Sequence, residues 1–319
     1  MISYIILYEY LVKSLSIAMI NITIGIPSFN EEKNILRLLH SLSASNRKGF
    51  IISEVIISDD SDDCTPELVK TFSIQNPCLN IKYIHHSTRR GTALAWNEIF
   101  ENANGAIIVL YDADTIPDRK CTNELVQYVE GKIGLCASNP EPVGESCLVN
   151  RATIFISRWL RSIRLRGLSQ YTVMGRSLAI RTDIAKKIRL PESIIAVDLY
   201  LQCKVIENGL DIFYNDNAIV YFSPPKTMSD FASQIIRASN GHKQIKDYIK
   251  KFSFQLSSRV ALVEILRNLI CDPVGALSVA VCYVVLPYYR SKVKDLNSVR
   301  WHVADSTKML DSGLDKTSA

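Results

Sequence analysis

The sequence has no CxxC pair and no histidine at zinc-ligand spacing from any of its eight cysteines, which argues against a structural zinc site. Glycine and proline are sparse, 13 and 11 residues of 319, and no repeat or low-complexity tract is present, so a fibrous or disordered chain is excluded. There is no nucleic-acid motif and no basic stripe interleaved with aromatics, so no nucleic-acid partner is expected. The segment from Met1 to Ile20 lacks a basic start and a small-residue cleavage site, which argues against a secretory signal. It is apolar but interrupted by Glu9 and Lys13, as in a helix lying on a membrane surface. Met19 immediately precedes the first convincing strand, so either Met1 or Met19 serves as the start.

What is present points to an enzyme-sized globular chain. A hydrophobic content of 47% over 319 residues is enough for a full core, as one large domain or a domain with an appendage. Cys64, Cys78, Cys121, Cys136, Cys147, Cys203, Cys271 and Cys282 are scattered, as buried thiols of a reducing compartment would be. The net charge is +5, but from Lys226 to Lys294 there are 11 Lys/Arg against 4 Asp/Glu. A basic C-terminal third on a neutral-to-acidic body suits an anionic membrane surface. The expected division is an apolar extension at 1–20, an α/β domain at 21–225, a basic and apolar helical membrane-associating region at 226–294, and a polar tail at 295–319.

From Ile22 onward, apolar runs alternate with helical patterns. Strands are predicted at Ile22 to Ile26, Glu54 to Ser58, Asn80 to Ile84, Ala106 to Tyr111 and Lys132 to Ala137. Helices are predicted from Glu31 to Leu42, from Thr65-Pro66, from Thr92 to Asn102 and from Asp118 to Val129. Such alternation builds βαβ units and a mostly parallel sheet flanked by helices. Ligands of such sheets sit beyond the carboxyl ends of the strands. Three of those ends carry polar clusters: Pro27-Ser28-Phe29-Asn30-Glu31-Glu32, Asp59-Asp60-Ser61-Asp62-Asp63 and Asp112-Ala113-Asp114. Taken singly, each reads as a solvated loop with helix caps, Ser28 or Asn30 for the first helix and Asp62 or Asp63 for the second. Taken together, like charges converging on one edge call for a cation or a hydrogen-bonding ligand.

Asp112 and Asp114 follow a buried strand at a spacing of two. In extended geometry both carboxylates point one way, toward a hard divalent cation, Mn or Mg, with positions left for phosphate. Such a cation offsets the negative charge that develops on a leaving nucleoside diphosphate.

These residues resemble the family 2 glycosyltransferases of the GT-A fold, from about Ile22 to Gly241. The resemblance rests on Pro27, Asn30 and Glu31, the Asp59-to-Thr65 turn, Arg90-Gly91 with Asn97, the Asp112-Ala113-Asp114 triplet, Gly175 and Asp198, in that order. It implies a Rossmann-like sheet with a helical, apolar C-terminal appendage. It also implies an inverting transfer from a nucleotide-diphosphate sugar to an acceptor hydroxyl; with the basic, apolar C-terminal region on a membrane, a lipid-linked or glycan acceptor on the cytoplasmic side is expected. By that resemblance Pro27, Asn30 and Glu31 line the nucleoside pocket, Asp59 or Asp60 binds base or ribose, and Gly91 lets the backbone pass close to the donor. Asp112 and Asp114 hold the metal, Gly175 lies on the acceptor side, and Asp198 is the general base. The family usually shows two acids at the last position, where this chain has Val197-Asp198. Gln234 and Arg237 resemble the front of the QxxRW motif of polysaccharide synthases, with Ala238 in place of the tryptophan, which argues against processive synthesis. Their functional role would be an arginine fork on the diphosphate; the alternative is two residues facing solvent from a helix.

Two other readings compete. The strand from Ile107 to Thr115 also resembles the nucleophile motif of haloacid-dehalogenase-like phosphatases, with Asp112 as nucleophile and Asp114 as acid-base. A donor-site fold that has lost catalysis and serves as a membrane-bound binding partner is the other, supported by Val197 and the missing tryptophan. Asp198 also has a local alternative as a helix N-cap. His85 and His86 are adjacent on a strand and point oppositely, and His242 is either near the Arg237 site or an ordinary surface residue. Arg158, Arg161, Arg164 and Arg166 form either a solvated face or a site for anionic headgroups. Pro273 to Pro287 is a run of 15 residues without a charge, with a proline at each end, followed by Tyr288, Tyr289 and Arg290. They form a core helix, an interfacial insertion or a span.

Overall fold

The computed structural model describes residues 19–144, 147–252, 254–292 and 305–307. Nearly all of the N-terminal extension and most of the polar tail lie outside them. The strands are β1 (Ile20–Ser28), β2 (Phe50–Asp59), β3 (Ile81–His85), β4 (Ile107–Tyr111), β5 (Thr115–Pro117), β6 (Ile133–Pro142), β7 (Ser177–Arg181) and β8 (Asp211–Phe222). The helices are α1 (Ile35–Ser43), α2 (Thr65–Gln75), α3 (Thr92–Asn102), α4 (Cys121–Val126), α5 (Leu148–Arg164) and α6 (Thr182–Ala185), then α7 (Val197–Glu207), α8 (Met228–Gln244), α9 (Lys246–Lys251), α10 (Ser258–Cys271) and α11 (Pro273–Lys292).

The strands form one sheet in the order β3-β2-β1-β4-β7-β6-β8-β5. The pairs β2–β3, β1–β2, β1–β4 and β6–β8 are parallel, whereas β7 runs antiparallel to both β4 and β6, and β5 antiparallel to β8. Six strands therefore share one direction, as expected of a mostly parallel α/β sheet. Along β4, alternate side chains enter two separate cores. Ile108 and Leu110 pack with Trp96, Ile99 and Phe100 of α3 and with Leu199, Leu201 and Val205 of α7. Ile107, Val109 and Tyr111 pack with α1, α2 and α4 on the other face. A strand covered on both faces has to be apolar throughout, and β4 is.

α1 shows how the periodicity becomes packing. Ile35, Leu38, Leu39 and Leu42 are all fully buried, each removal from water favouring the fold by about 1.5–3 kcal/mol. α1 begins at Ile35 with Asn34 as its N-cap residue, so neither Ser28 nor Asn30 caps it. Ser28 ends β1, its carbonyl accepting from the Asp60 N–H at 3.1 Å, and Asn30 belongs to the loop that follows. At the start of α2, Asp63 Oδ1 accepts from the Thr65 N–H at 2.9 Å and the Thr65 hydroxyl at 2.6 Å.

Two C-terminal expectations are corrected. α11 does not stop at Pro287 but continues through it to Lys292. α11 is also not a core helix, since only Gly275, Ser278 and Cys282 of it are buried. All eight cysteines are free, yet only Cys121, Cys136, Cys203 and Cys282 are buried, while Cys64, Cys78 and Cys271 are exposed.

Candidate active site

The site forms where the loops after β1, β2 and β4 meet the start of β7 and the first turn of α7. The first two loops are joined by hydrogen bonds. Asn30 adopts φ 54°, a left-handed conformation that asparagine tolerates better than most residues. This lets its N–H donate to Ser61 Oγ at 2.7 Å while its Oδ1 accepts from the Asp62 N–H at 2.9 Å. The Glu31 N–H donates to Thr65 Oγ1 at 2.9 Å, and Glu31 Oε2 accepts from Asn34 Nδ2 at 2.9 Å. Pro27 is half-buried at the end of β1, beside Ser58 in the register of β2. Arg89 stacks over Phe29 with its guanidinium 4.0 Å from the ring centre.

Asp59 is fully buried, accepting from the Ser61 hydroxyl at 2.5 Å and the Tyr83 hydroxyl at 2.6 Å, with His85 Nδ1 at 3.2 Å. Asp60 accepts from the Arg90 N–H at 2.6 Å, Arg90 Nε at 3.1 Å and the Gly91 N–H at 3.1 Å. Both carboxylates thus shape the loops at this end of the site from within. His85 reaches Asp59 whereas His86 reaches Glu98, so the two histidines do point oppositely. Although burial opposes its charge, hydrogen bonds from Arg90, Ser58 and His86 hold Glu98 below its ordinary range. Arg90, itself buttressed by Glu98 and Asp60, keeps the turn into α3 rigid.

Gly91 sits at that turn with φ 96° and ψ 167°, a region essentially reserved for glycine. Gly91→Ala is expected to destabilise the fold by about 1–3 kcal/mol and to loosen the Asp60 contact. Chemical denaturation measures the first effect, and an unchanged midpoint would mean that the turn is not strained.

The Asp112–Asp114 triplet departs from the extended geometry expected of it. β4 ends at Tyr111, and Asp112 opens a turn in which its carbonyl accepts from the Thr115 N–H at 3.1 Å and the Thr115 hydroxyl at 2.7 Å. A turn, not strand alternation, brings the two carboxylates together. Burial first and the Asp114 carboxylate second push Asp112 up to about 7, and Arg176 and Arg237 pull it back down. The Asp112 N–H donates to the Arg176 carbonyl at 3.0 Å, and Arg176 Nη1 lies 3.8 Å from Asp114 Oδ2. The Arg176 guanidinium rests on the Phe222 ring at 3.7 Å.

Asp198 closes the cluster. It is the second residue of α7, not its N-cap, which is Ala196. Its Oδ2 accepts from the Gly175 N–H at 2.9 Å, and its Oδ1 from the Leu199 N–H at 2.9 Å. Val197, the residue before it, is buried in the core. Arg237 completes the site from α8: burial holds its guanidinium below its ordinary value, while Asp198, Asp112 and Asp114 pull the other way. Arg237 is half-buried, within reach of the charges of these three acids. Gln234, one turn earlier on α8, is half-buried. His242 does not join the cluster; its Nδ1 lies 2.8 Å from the Ala238 carbonyl and its ring 5.2 Å from Tyr171.

Sequence reasoning missed Arg176, because it lies between two elements with no periodic signal and becomes a site residue only through the pairing of β7 with β4. Of the arginines in and just after α5, Arg158 pairs with Asp272 at 3.3 Å, Arg161 with Asp216 at 2.6 Å, and Arg166 with Glu264 at 2.6 Å. Arg164 is buried over the Tyr214 ring. Arg158, Arg161 and Arg166 stay exposed, a solvated face whose charges are offset by acids of β8 and the C-terminal helices.

Among the described residues no three His, Cys, Asp or Glu side chains close around a metal position. A small divalent cation needs few protein ligands where a diphosphate supplies the rest, and the facing carboxylates of Asp112 and Asp114 fit that requirement.

The family model described as Glycosyl transferase family 2 matches residues 23–188, and that of Glycosyl transferase family group 2 matches residues 107–303. The chain is 24% identical over 239 residues to the probable glycosyltransferase YdaM of Bacillus subtilis, covering 70% of this chain and 56% of that one. It is 23% identical over 230 residues to the dolichyl N-acetyl-alpha-D-glucosaminyl phosphate 3-beta-D-2,3-diacetamido-2,3-dideoxy-beta-D-glucuronosyltransferase of Methanococcus voltae, covering 67% and 70%. Among solved structures, the mannosyltransferase PcManGT of Pyrobaculum calidifontis, in complex with GDP-Man and Mn2+, superposes with a TM-score of 0.57 at 18% identity, covering 87% of this chain and 84% of that one. Glucosyl-3-phosphoglycerate synthase of Mycobacterium tuberculosis, with Mn2+, UDP and its product, superposes at 0.50 with 17% identity, covering 75% and 82%. The fold is GT-A, with β4 the fourth strand of its sheet, and the phosphatase reading of Asp112 falls.

Proposed function

The chain belongs to glycosyltransferase family 2, and on that premise we propose that it is an inverting, metal-dependent transferase of a sugar from a nucleotide-diphosphate sugar to an acceptor hydroxyl. The observation that carries this reading is the Asp198 carboxylate, held by the Gly175 and Leu199 N–H groups beside Asp112, Asp114 and Arg237. A base restrained in this way is preorganised to accept a proton. The acceptor O–H gives its proton to Asp198 as the new O–C bond forms at the anomeric carbon. On the opposite side, the bond to the diphosphate breaks and its electron pair leaves with the nucleoside diphosphate. Asp112 and Asp114 would hold Mn or Mg, which when bound stabilises the leaving charge as a Lewis acid. Arg237, and Arg176 from its seat on Phe222, are placed to fork onto phosphate oxygens, with Gln234 alongside. Pro27, Asn30, Glu31, Asp59 and Asp60 shape the nucleoside end, Gly91 its close approach to the donor, and Gly175 the acceptor side.

The acceptor in this reading is lipid-linked, or a glycan presented at the cytoplasmic face of a membrane. A relative whose name includes a dolichyl phosphate acceptor supports it. The test is a thermal-shift screen of UDP-, GDP- and dTDP-sugars with Mn2+. One donor at about 100 times its Kd should raise the midpoint by about 5 °C. If no nucleotide sugar moves it, the donor reading is wrong.

A further inference from the structure

α10 and α11 have their amphipathicity reversed. On α10, Glu264 is only 2% exposed and pairs with Arg166, and Asn268 Nδ2 donates to Ser162 Oγ at 3.2 Å. Leu262, Leu266 and Ile270 of the same helix are 58%, 51% and 79% exposed. On α11 the buried residues are Gly275, Ser278 and Cys282, whereas Leu277 and Val284 are 66% and 80% exposed. The polar and small side chains thus face protein, and the branched apolar ones face outward. A helix on a water-exposed surface has the opposite arrangement, and an apolar patch of this extent marks an interaction surface.

Charge identifies what covers it. The exposed charged side chains of the two helices are Arg259, Arg267, Arg290 and Lys292, all cationic, because Glu264 is buried and Asp272 is half-buried against Arg158. Tyr288 lies beside Lys292, its ring 4.3 Å from Nζ, at the end of the apolar face. Apolar side chains bordered by cations and tyrosine match the acyl–headgroup boundary of an anionic bilayer.

We infer that α10 and α11 together form a lipid-inserted face that lies in the bilayer interface without crossing it. α11 is long and apolar enough to span by length and composition. Its Gly275–Ser278–Cys282 side, however, packs with α5 and α8, where Cys282 clusters with Val149, Ala152 and Phe231. To cross, α11 would draw α5 in with it, and α5 carries Arg151, Arg158, Arg161 and Arg164. Arginines are costly at the bilayer centre, so that arrangement loses to shallow insertion. Insertion through apolar side chains also differs from adsorption by charge, since salt screens only the second.

This rests on the membrane-surface part of the proposed function, not on its chemistry. The test is flotation of the full chain with phosphatidylcholine vesicles, with and without anionic lipid, at low salt and at about 1 M NaCl, where the Debye length is about 3 Å. Binding should be stronger with anionic lipid but should survive high salt. The variant Leu266→Glu/Ile270→Glu/Leu277→Glu/Val284→Glu should lose at least tenfold in vesicle binding while keeping the donor-induced thermal shift. Binding that salt removes, a variant that still floats, or a discrete lipid-free dimer that the variant dissolves would each overturn the inference. Flotation without any donor shift would leave the inserted face standing and overturn the catalytic reading.

Discussion

Asp198→Asn should lower turnover by about 10²–10⁴-fold, the range of a positioned general base, with little change in donor affinity. The amide keeps the size of the carboxylate and can still accept from the Gly175 N–H through its oxygen, so the loop holding Gly175 should stay in place. What is lost is the basic oxygen that takes the acceptor proton. Two measurements separate this from a structural effect: kcat from saturating kinetics and donor Kd by calorimetry. A variant that loses donor binding but keeps turnover would reverse the assignment and make Asp198 a donor ligand.

Asp114→Asn should abolish metal-dependent transfer while leaving the fold nearly intact. Asp114 is half-buried at a turn, and Arg176 lies 3.8 Å from its carboxylate, a separation that makes the ion pair itself a minor contributor to stability. Its removal therefore touches the chemistry far more than the packing. Asp112→Asn should impair transfer as well, but less completely. Titration of Mn2+ against nucleoside diphosphate release follows both variants. Full activity of the unmodified chain in EDTA would remove the metal from the mechanism.

Much of the fold was legible because strands and helices in its first half write their packing into spacing. α3 spans Thr92 to Asn102, as its pattern predicts, and the apolar run ending at Tyr111 is a strand buried on both faces. The alternation stays readable only as far as Ala137. β7 is a five-residue antiparallel strand inserted between β4 and β6, a pairing that depends on chain segments far apart in sequence. Arg176 was hidden for the same reason. Asp198 is singled out by the family resemblance, whereas its contact with the Gly175 N–H and the burial of Val197 could not be read from the sequence, because both arise from how α7 packs. The acidic partners of the arginines in and just after α5, Asp216, Glu264 and Asp272, were not legible, because they come from β8 and the C-terminal helices. α11 was misjudged at its end because it continues through Pro287, although a proline inside a helix removes a backbone hydrogen bond and crowds the preceding turn.

The most direct measurement is nucleoside diphosphate release from UDP-, GDP- and dTDP-sugars by the full chain with Mn2+ and a total lipid extract. The account predicts that one donor is turned over, that EDTA stops the release, and that Asp198→Asn nearly eliminates it. Absence of release from every donor, together with Mg2+-dependent hydrolysis of p-nitrophenyl phosphate, would contradict it.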